Sequence, residues 1–159
     1  MNNSKKTDIT KTCYAAYGSN MDLGQMGHRC PGAVLLGKGV IENYRLLFKG
    51  SMSGSYATIE PCPGAQVPVL LWEINQRHER ALDRYEGFPV FYQKKKVEVQ
   101  TESGRAESMV YVMDPSRPFG APSEWYYDVL ENAYSRFDFD MEILEGALDD
   151  SLLQAATVA

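Results

Sequence analysis

Cysteine is scarce in this sequence: Cys13, Cys30 and Cys62 are an odd number at wide spacing, with no C-x-x-C pair. A disulfide framework or a cysteine zinc site is therefore not expected. The two histidines, His28 and His78, stand near no Cys or carboxylate cluster with ligand spacing, so no metal is implied. Long apolar runs are missing, and nothing reaches membrane-spanning length. The opening MNNSKKTDITKT has no apolar stretch after its lysines, so no secretory signal is read there and a cytoplasmic location is the default expectation. Positive charge is in the minority, with 16 Lys and Arg against 21 Asp and Glu and a net charge of −5. Nucleic acid or an anionic membrane surface would want a basic face, so neither is expected as main partner. The one dense basic run, Lys94-Lys95-Lys96, is followed by Val97-Glu98-Val99 and reads as the charged, solvated side of a strand.

Several chemical signatures are missing as well. GAVLLGKG (residues 32–39) nearly matches a P-loop, but Gly39 stands where Ser or Thr would hold Mg²⁺, and the supposed loop is itself an apolar strand. There is no G-x-G-x-x-G and no G-x-S-x-G elbow. Ser19 has no obvious His partner, which leaves a Ser-His-Asp hydrolase unsupported.

What is present is ordinary globular composition, 44% apolar and 23% charged, with ten tyrosines. The 159 residues suffice for one domain with a real core. Residues 1–11 read as a flexible tail, 12–153 as a single domain and 154–159 as a frayed end. CYAAY (13–17) reads as a short buried strand, and MDLGQMGHRCPG as a short helix ending before Pro31. AVLLGKGVIENYRLLFKG reads as strand, with Gly37 and Gly39 marking a bend or bulge. GSMSGS (50–55) reads as a flexible loop, and YATIEP and QVPVLLWEI as two strands around a turn at Pro61-Cys62-Pro63-Gly64. In NQRHERALDRYEGFP, Asn75 is the N-cap, His78, Ala81, Leu82 and Tyr85 share one helical face, and Gly87 is the stop. Two strands follow around Glu102-Ser103-Gly104, a hairpin signal.

PSEWYYDVLENAYSRF is the clearest helix. Ser123 is its cap, and Tyr126, Val129, Leu130, Ala133, Tyr134 and Phe137 form its apolar face. MEILEGALDDSLLQ is a further amphipathic piece, interrupted by Gly146. The order lacks a regular βαβα alternation. It predicts a mixed α/β (α+β) class: a small barrel-like mixed sheet with helices packed outside.

Two places look chemical. At Tyr17-Gly18-Ser19-Asn20, a positive φ at Gly18 would aim the following N–H groups one way and make an anion-binding nest, with a helix start adding its positive end. The plain alternative is a strand-to-helix turn capped by Asn20 or Asp22. The second place is Glu86, the last residue before Gly87. A carboxylate at a helix C-terminus faces the negative end of the dipole, and Tyr85, Phe88, Phe91 and Tyr92 are near enough in sequence to desolvate it. A carboxyl tuned upward suits a general base near neutral pH; a surface Glu turned into solvent is the plain alternative.

Taken together, these residues resemble the γ-glutamylcyclotransferase family, also called AIG2-like. Tyr17-Gly18-Ser19-Asn20 is similar to the family's Y-G-S-N signature, and HRCPGAVLLGKGVIENYRLLF to the strand region that follows it. ATIEPCPGAQVPVLLWEI resembles the segment with a Pro-Gly turn before a V-x-x-W strand. LDRYEGFPVFY resembles the E-G pair with its following Tyr, and PSEWY the start of the late helix. The matches stand in order from Tyr14 to Phe137.

The resemblance implies a compact barrel-like fold that cyclises an N-terminal γ-glutamyl group to 5-oxoproline and releases the attached amine, without metal or organic cofactor. It places the acid/base role on Glu86. It places substrate binding on Tyr14, Tyr17, Gly18, Ser19, Asn20, Met21, Tyr92 and Tyr126. The implied partner is a small γ-glutamyl substrate, bound by a monomer or homodimer. The chemistry fits: the substrate's own α-amine is the nucleophile, so no nucleophilic side chain is needed. Tyr85, the short GSMSGS loop and the FDFDMEILEG segment depart from parts of the family pattern, and these are places where leaving-group specificity would be set. A non-catalytic binding module of the same fold, or a protein-interaction domain, are the other readings.

Overall fold

The computed structural model describes residues 11–51 and 53–157. The tail expected over 1–11 lies outside the described residues, apart from Lys11, as do Met52 and the last two residues. Five strands close into a ring: β1 (Thr12–Ala16), β2 (Val34–Lys49), β3 (Ser53–Ile74), β4 (Gln93–Thr101) and β5 (Gly104–Val112), in the order β1-β5-β4-β2-β3 and back to β1. The sheet is mixed because β1 runs antiparallel to β3 (Thr12↔Ile74 to Ala16↔Leu70) but parallel to β5 (Tyr14↔Met109). A two-residue strand β6 (Ala121–Pro122) adds in parallel to the start of β3. Four helices complete the chain: α1 (Leu23–Arg29), α2 (Gln76–Glu86), α3 (Glu124–Arg136) and α4 (Met141–Thr157). The architecture is the barrel-like α+β fold expected from the sequence.

The long β2–β3 hairpin corrects one sequence reading. Pro61-Cys62-Pro63-Gly64 does not reverse the chain: β3 is one strand of 22 residues that keeps β2 as its partner throughout. Tyr44 pairs with Pro61 and Glu42 with Gln66, so the extra residues swell out as a bulge opposite Asn43. Asn43 takes a left-handed conformation (φ 63°), and its Oδ1 accepts the Gly64 N–H at 3.0 Å. A local Pro-Gly signal therefore gives a bulge when the neighbouring strand continues past it. GSMSGS is also not all loop, since Ser53, Gly54 and Ser55 already belong to β3.

The expected bend in β2 is present as a register shift between Leu35 and Gly37, with Gly37 at φ 139°. Gly39 has a different task. A Cβ there would stand 2.4 Å from Val99 Cγ1, so glycine lets β4 close onto β2 where Val40 pairs with Gln100. The barrel core holds Ile41, Val67, Val69, Leu71, Val99 and Val110, all buried.

Helices sit outside, as their patterns require. In α3 the expected face is the buried one: Tyr126, Leu130, Ala133 and Tyr134, with the Ser123 side chain accepting from the Tyr126 N–H. α4 runs on to Thr157, through part of the segment expected to fray, and its buried Ser151 Oγ accepts the Phe48 N–H at 2.9 Å. In α2 the Asn75 cap forms as expected: its side chain accepts from His78 N–H at 2.9 Å, and the His78 Nδ1 accepts from the Asn75 N–H at 3.2 Å. His78 thus takes the place Glu or Gln usually fills in a capping box. With Nδ1 accepting, Nε2 carries the proton and donates to the Pro31 carbonyl at 2.7 Å, tying the start of α2 to the end of α1.

Lys94 is not a solvated strand lysine. Its Nζ lies 2.6 Å from Glu79 and 2.8 Å from Asp83, both on α2. Tyr111 on β5 also donates to Asp83 Oδ1 at 2.7 Å. Asp83 and Glu86 are three residues apart and share a helix face, so the bonds that pull Asp83 onto the barrel also turn Glu86 inward.

Candidate active site

The cavity, about 310 Å³, opens where β1 ends. β1 delivers Tyr14 and Tyr17, and the turn after it delivers Gly18, Ser19 and Asn20. The C-terminus of α2 delivers Tyr85 and Glu86, the segment before β4 gives Phe91 and Tyr92, and α3 gives Tyr126. The structure thus gathers the sequence-predicted residues around one space, with one exception. Met21 is fully buried in the core and is not part of the lining. It sits one residue past the lining turn, in a 3₁₀ turn (Ser19–Met21) that points it inward.

The Gly18 turn is also built differently from the expected nest. Gly18 has φ −119°, so no left-handed residue is involved. Glycine is favoured there by close approach: a Cβ would meet the Tyr126 hydroxyl at 3.0 Å. The Met21 and Asp22 amides are spent on the turn, donating to the Gly18 and Ser19 carbonyls at 3.0 Å. Asp22, one of the two expected caps, accepts from the Gln25 N–H and starts α1. Among the described residues the Ser19 and Asn20 amides have no acceptor, which leaves two adjacent backbone donors beside the cavity.

Glu86 occupies the edge of this space, half-buried. Burial pushes its carboxyl up from the ordinary 4.5 to about 7, and the Arg29 guanidinium holds it down in part. Its hydrogen-bond partner is Asn20, whose Nδ2 donates to Oε1 at 3.4 Å and to the Tyr14 hydroxyl at 2.9 Å. The amide is oriented from the other side, because Oδ1 accepts from Arg29 Nη1 at 2.5 Å. Arg29 also donates to Ser19 Oγ (3.3 Å) and Gln25 Oε1 (2.6 Å), and its guanidinium lies 3.5 Å from the centroid of the Tyr85 ring.

Sequence reasoning gave Arg29 no role, although HRCPG was among the motifs singled out. The signal available was an arginine ending a helix that starts just after the Tyr17–Asn20 turn. Phe88, expected near Glu86, instead stacks with Lys94, 4.3 Å from its ring centroid, and is not part of the lining.

The walls are phenols held at fixed angles. Tyr92 donates to the Ala57 carbonyl at 2.7 Å, and the Ala57 N–H donates to the Tyr126 hydroxyl at 3.1 Å. Tyr17 donates to the Tyr111 carbonyl. Tyr14 and Tyr126 only accept in these bonds, so each keeps its O–H proton to offer to a ligand. Burial first, and the Glu86 charge among the smaller causes, raises the pKa of Tyr14, Tyr17, Tyr92 and Tyr126. All four therefore stay protonated at neutral pH. The arrangement can bind an anion through backbone and phenol donors and can accept a proton at Glu86, a few ångströms apart.

The fold is thus a small closed barrel with a tyrosine-walled cavity that pairs a titratable carboxyl with a turn of free amides. The chain belongs to the gamma-glutamyl cyclotransferase, AIG2-like family, whose model matches residues 14–143. It is 32% identical over 100 residues to a gamma-glutamylcyclotransferase from Bos taurus, covering 58% of this chain and 53% of that protein. It is 29% identical over 125 residues to one from Mus musculus, covering 74% and 66%. The chain thus spans between half and two thirds of the length of these curated relatives. A solved structure described as a gamma-glutamyl cyclotransferase superimposes with a TM-score of 0.75 at 26% identity, covering 87% of this chain and 86% of that one. Among the described residues no helix is long and apolar enough to cross a membrane.

Proposed function

We propose that this chain is a γ-glutamyl cyclotransferase that converts a γ-glutamyl amide to 5-oxoproline and the free amine, with Glu86 as general acid/base. The observation that carries the reading is the Glu86 carboxyl, raised to about 7 at the edge of a cavity in which it is the one acidic group among the described residues. A base titrating near the working pH both accepts and returns a proton efficiently.

The substrate α-amine attacks its own γ-carbonyl carbon; that N–C bond forms, and the amide C–N bond to the leaving amine breaks. The α-ammonium gives up two protons to become the lactam N–H, and the leaving amide nitrogen gains two to depart as an ammonium. Glu86 moves protons between these nitrogens, and no water or oxidant is consumed. The Ser19 and Asn20 amides and the Tyr14 and Tyr126 hydroxyls serve the two anionic groups the reaction presents, the α-carboxylate and the developing oxyanion. The tyrosine walls hold the flexible glutamyl chain bent, an entropic contribution to rate.

The test is release of 5-oxoproline from a panel of γ-glutamyl amino acids and amines. Turnover that survives undiminished in Glu86→Gln rules out the assigned role. A thermal shift with 5-oxoproline, but no turnover of any γ-glutamyl compound, replaces the enzyme with a binding module.

A further inference from the structure

The mouth of the cavity has its own chemistry. At about 310 Å³ the cavity lies at the small end of ligand sites, which run to about 300–1,000 Å³. On the cyclotransferase reading, a γ-glutamyl group and its reacting amide would fill the interior and leave the leaving group at the rim.

That rim is aromatic and cationic. Tyr56 is 44% exposed although it lines the cavity, and Phe91 stands edge-on to it with centroids 6.1 Å apart. Arg84 lines the cavity as well. The Arg117 guanidinium lies 4.2 Å from the Phe91 ring centroid, with Nη2 donating to the Val90 carbonyl at 3.2 Å. Among the described residues neither arginine makes an ion pair.

The neighbouring carboxylates are committed elsewhere. Asp83 is held by Tyr111 and Lys94, Glu79 by Lys94, and Asp114, which acts on Arg117, by the Ser116 N–H and hydroxyl. Glu86 is the one acidic residue among the described residues lining the cavity. In a chain of net charge −5, Arg84 on the lining and Arg117 packed on Phe91 beside it, neither of them ion-paired, favour an anion at this rim.

We infer that this rim is a leaving-group subsite for an α-amino acid with a large apolar or aromatic side chain. Its ring or branched chain lies on Tyr56 and Phe91, and its carboxylate is taken by Arg84 and Arg117. A polyamine or aminoglycoside leaving group would instead bring further ammonium groups against the two arginines, at a like-charge cost. The inference rests on the cyclotransferase reading above. The chemistry is unchanged: the amide C–N bond breaks and the amino acid departs with both protons on its nitrogen.

The experiment compares kcat/KM for γ-glutamyl-phenylalanine, γ-glutamyl-alanine, the γ-glutamyl amide of phenethylamine, which lacks the carboxylate, and γ-glutamyl-putrescine. The phenylalanine compound should lead the alanine and phenethylamine compounds by about tenfold each, corresponding to roughly 1.4 kcal/mol. The putrescine compound should be slowest. In Arg84→Gln/Arg117→Gln, the ratio of phenylalanine to phenethylamine compound should fall to near one, whatever the overall rate. Equal turnover of all four, or a lead by putrescine, overturns the subsite while leaving the cyclotransferase standing. No 5-oxoproline from any compound removes both.

Discussion

The two ends of α2 obey opposite rules. At the start, Asn75 and His78 satisfy each other's backbone amides, and the remaining His78 nitrogen is bonded to Pro31. Both ring nitrogens of His78 and the Asn75 side-chain oxygen have partners, and the result is a fixed helix origin. At the finish, Glu86 places a carboxylate against the negative end of the dipole, half-buried, with a single long hydrogen bond from Asn20. Gly87, left-handed at φ 66°, closes the helix normally, so the misplaced charge is not a consequence of poor backbone geometry. One end contributes stability. The other gives some up and holds a proton that moves near neutral pH, the pattern expected where function overrides local preference.

Removing the exceptional group should have the largest effect. Glu86→Gln is expected to lower kcat by about 10²–10⁴-fold, the usual weight of a general acid/base. Its effect on stability should have the opposite sign. A carboxyl raised from 4.5 to about 7 on folding binds its proton more tightly in the native state, so its contribution falls as pH rises through that window. Melting temperatures should therefore show Glu86→Gln gaining more over the parent at pH 8 than at pH 4.

Gly18→Ala comes next. The added Cβ meets the Tyr126 hydroxyl at 3.0 Å and displaces donors on both sides of the cavity. Misplacement on this scale costs up to about 10² in kcat/KM. A normal rate would show that the close approach does not position the reacting groups.

Arg29→Met should produce a smaller change with a distinct signature. Arg29 holds the Glu86 carboxyl down, so its loss moves the acid limb of kcat/KM from near 7 to higher pH, and activity lost at pH 7 should return at higher pH. A uniform loss at every pH would mean that Arg29 acts through packing alone. Smallest for catalysis is Asn75→Ala, at the ordinary end of the helix. It should cost about 0.5–2 kcal/mol in denaturant melts and leave the acid limb where it was. A shifted limb would show that the two ends are not independent.

Much of this was legible because the relevant rules are local. Asn75, Gly87 and Ser123 announce helix ends through their own side chains or lack of them, and the structure uses each as read. Glu86 stood out in the sequence by its offence against the dipole, and the structure puts it on the cavity lining. What sequence misread depended on distant neighbours. Pro61–Gly64 looks like a turn until β2 is known to run alongside both flanks, and Lys94 looks solvated until α2 brings Glu79 and Asp83 over it. Gly18 was singled out for a backbone angle it does not adopt; the reason for glycine stands 108 residues away, at Tyr126. Met21 continues the signature in sequence, but a single 3₁₀ turn sends it to the core.

β1 is five residues long, yet it joins β3 on one side and β5 on the other and ends at the Gly18 turn. Its partners lie roughly 60 and 95 residues further along the chain. Such pairing brings a loop-closure cost that nearby contacts do not, and proteins dominated by distant contacts fold slowly. During synthesis the turn that lines the cavity is therefore made well before several of its walls. A chain stopped before residue 104 would hold Tyr17, Gly18 and Glu86 and still lack β5, the strand that closes the ring around them.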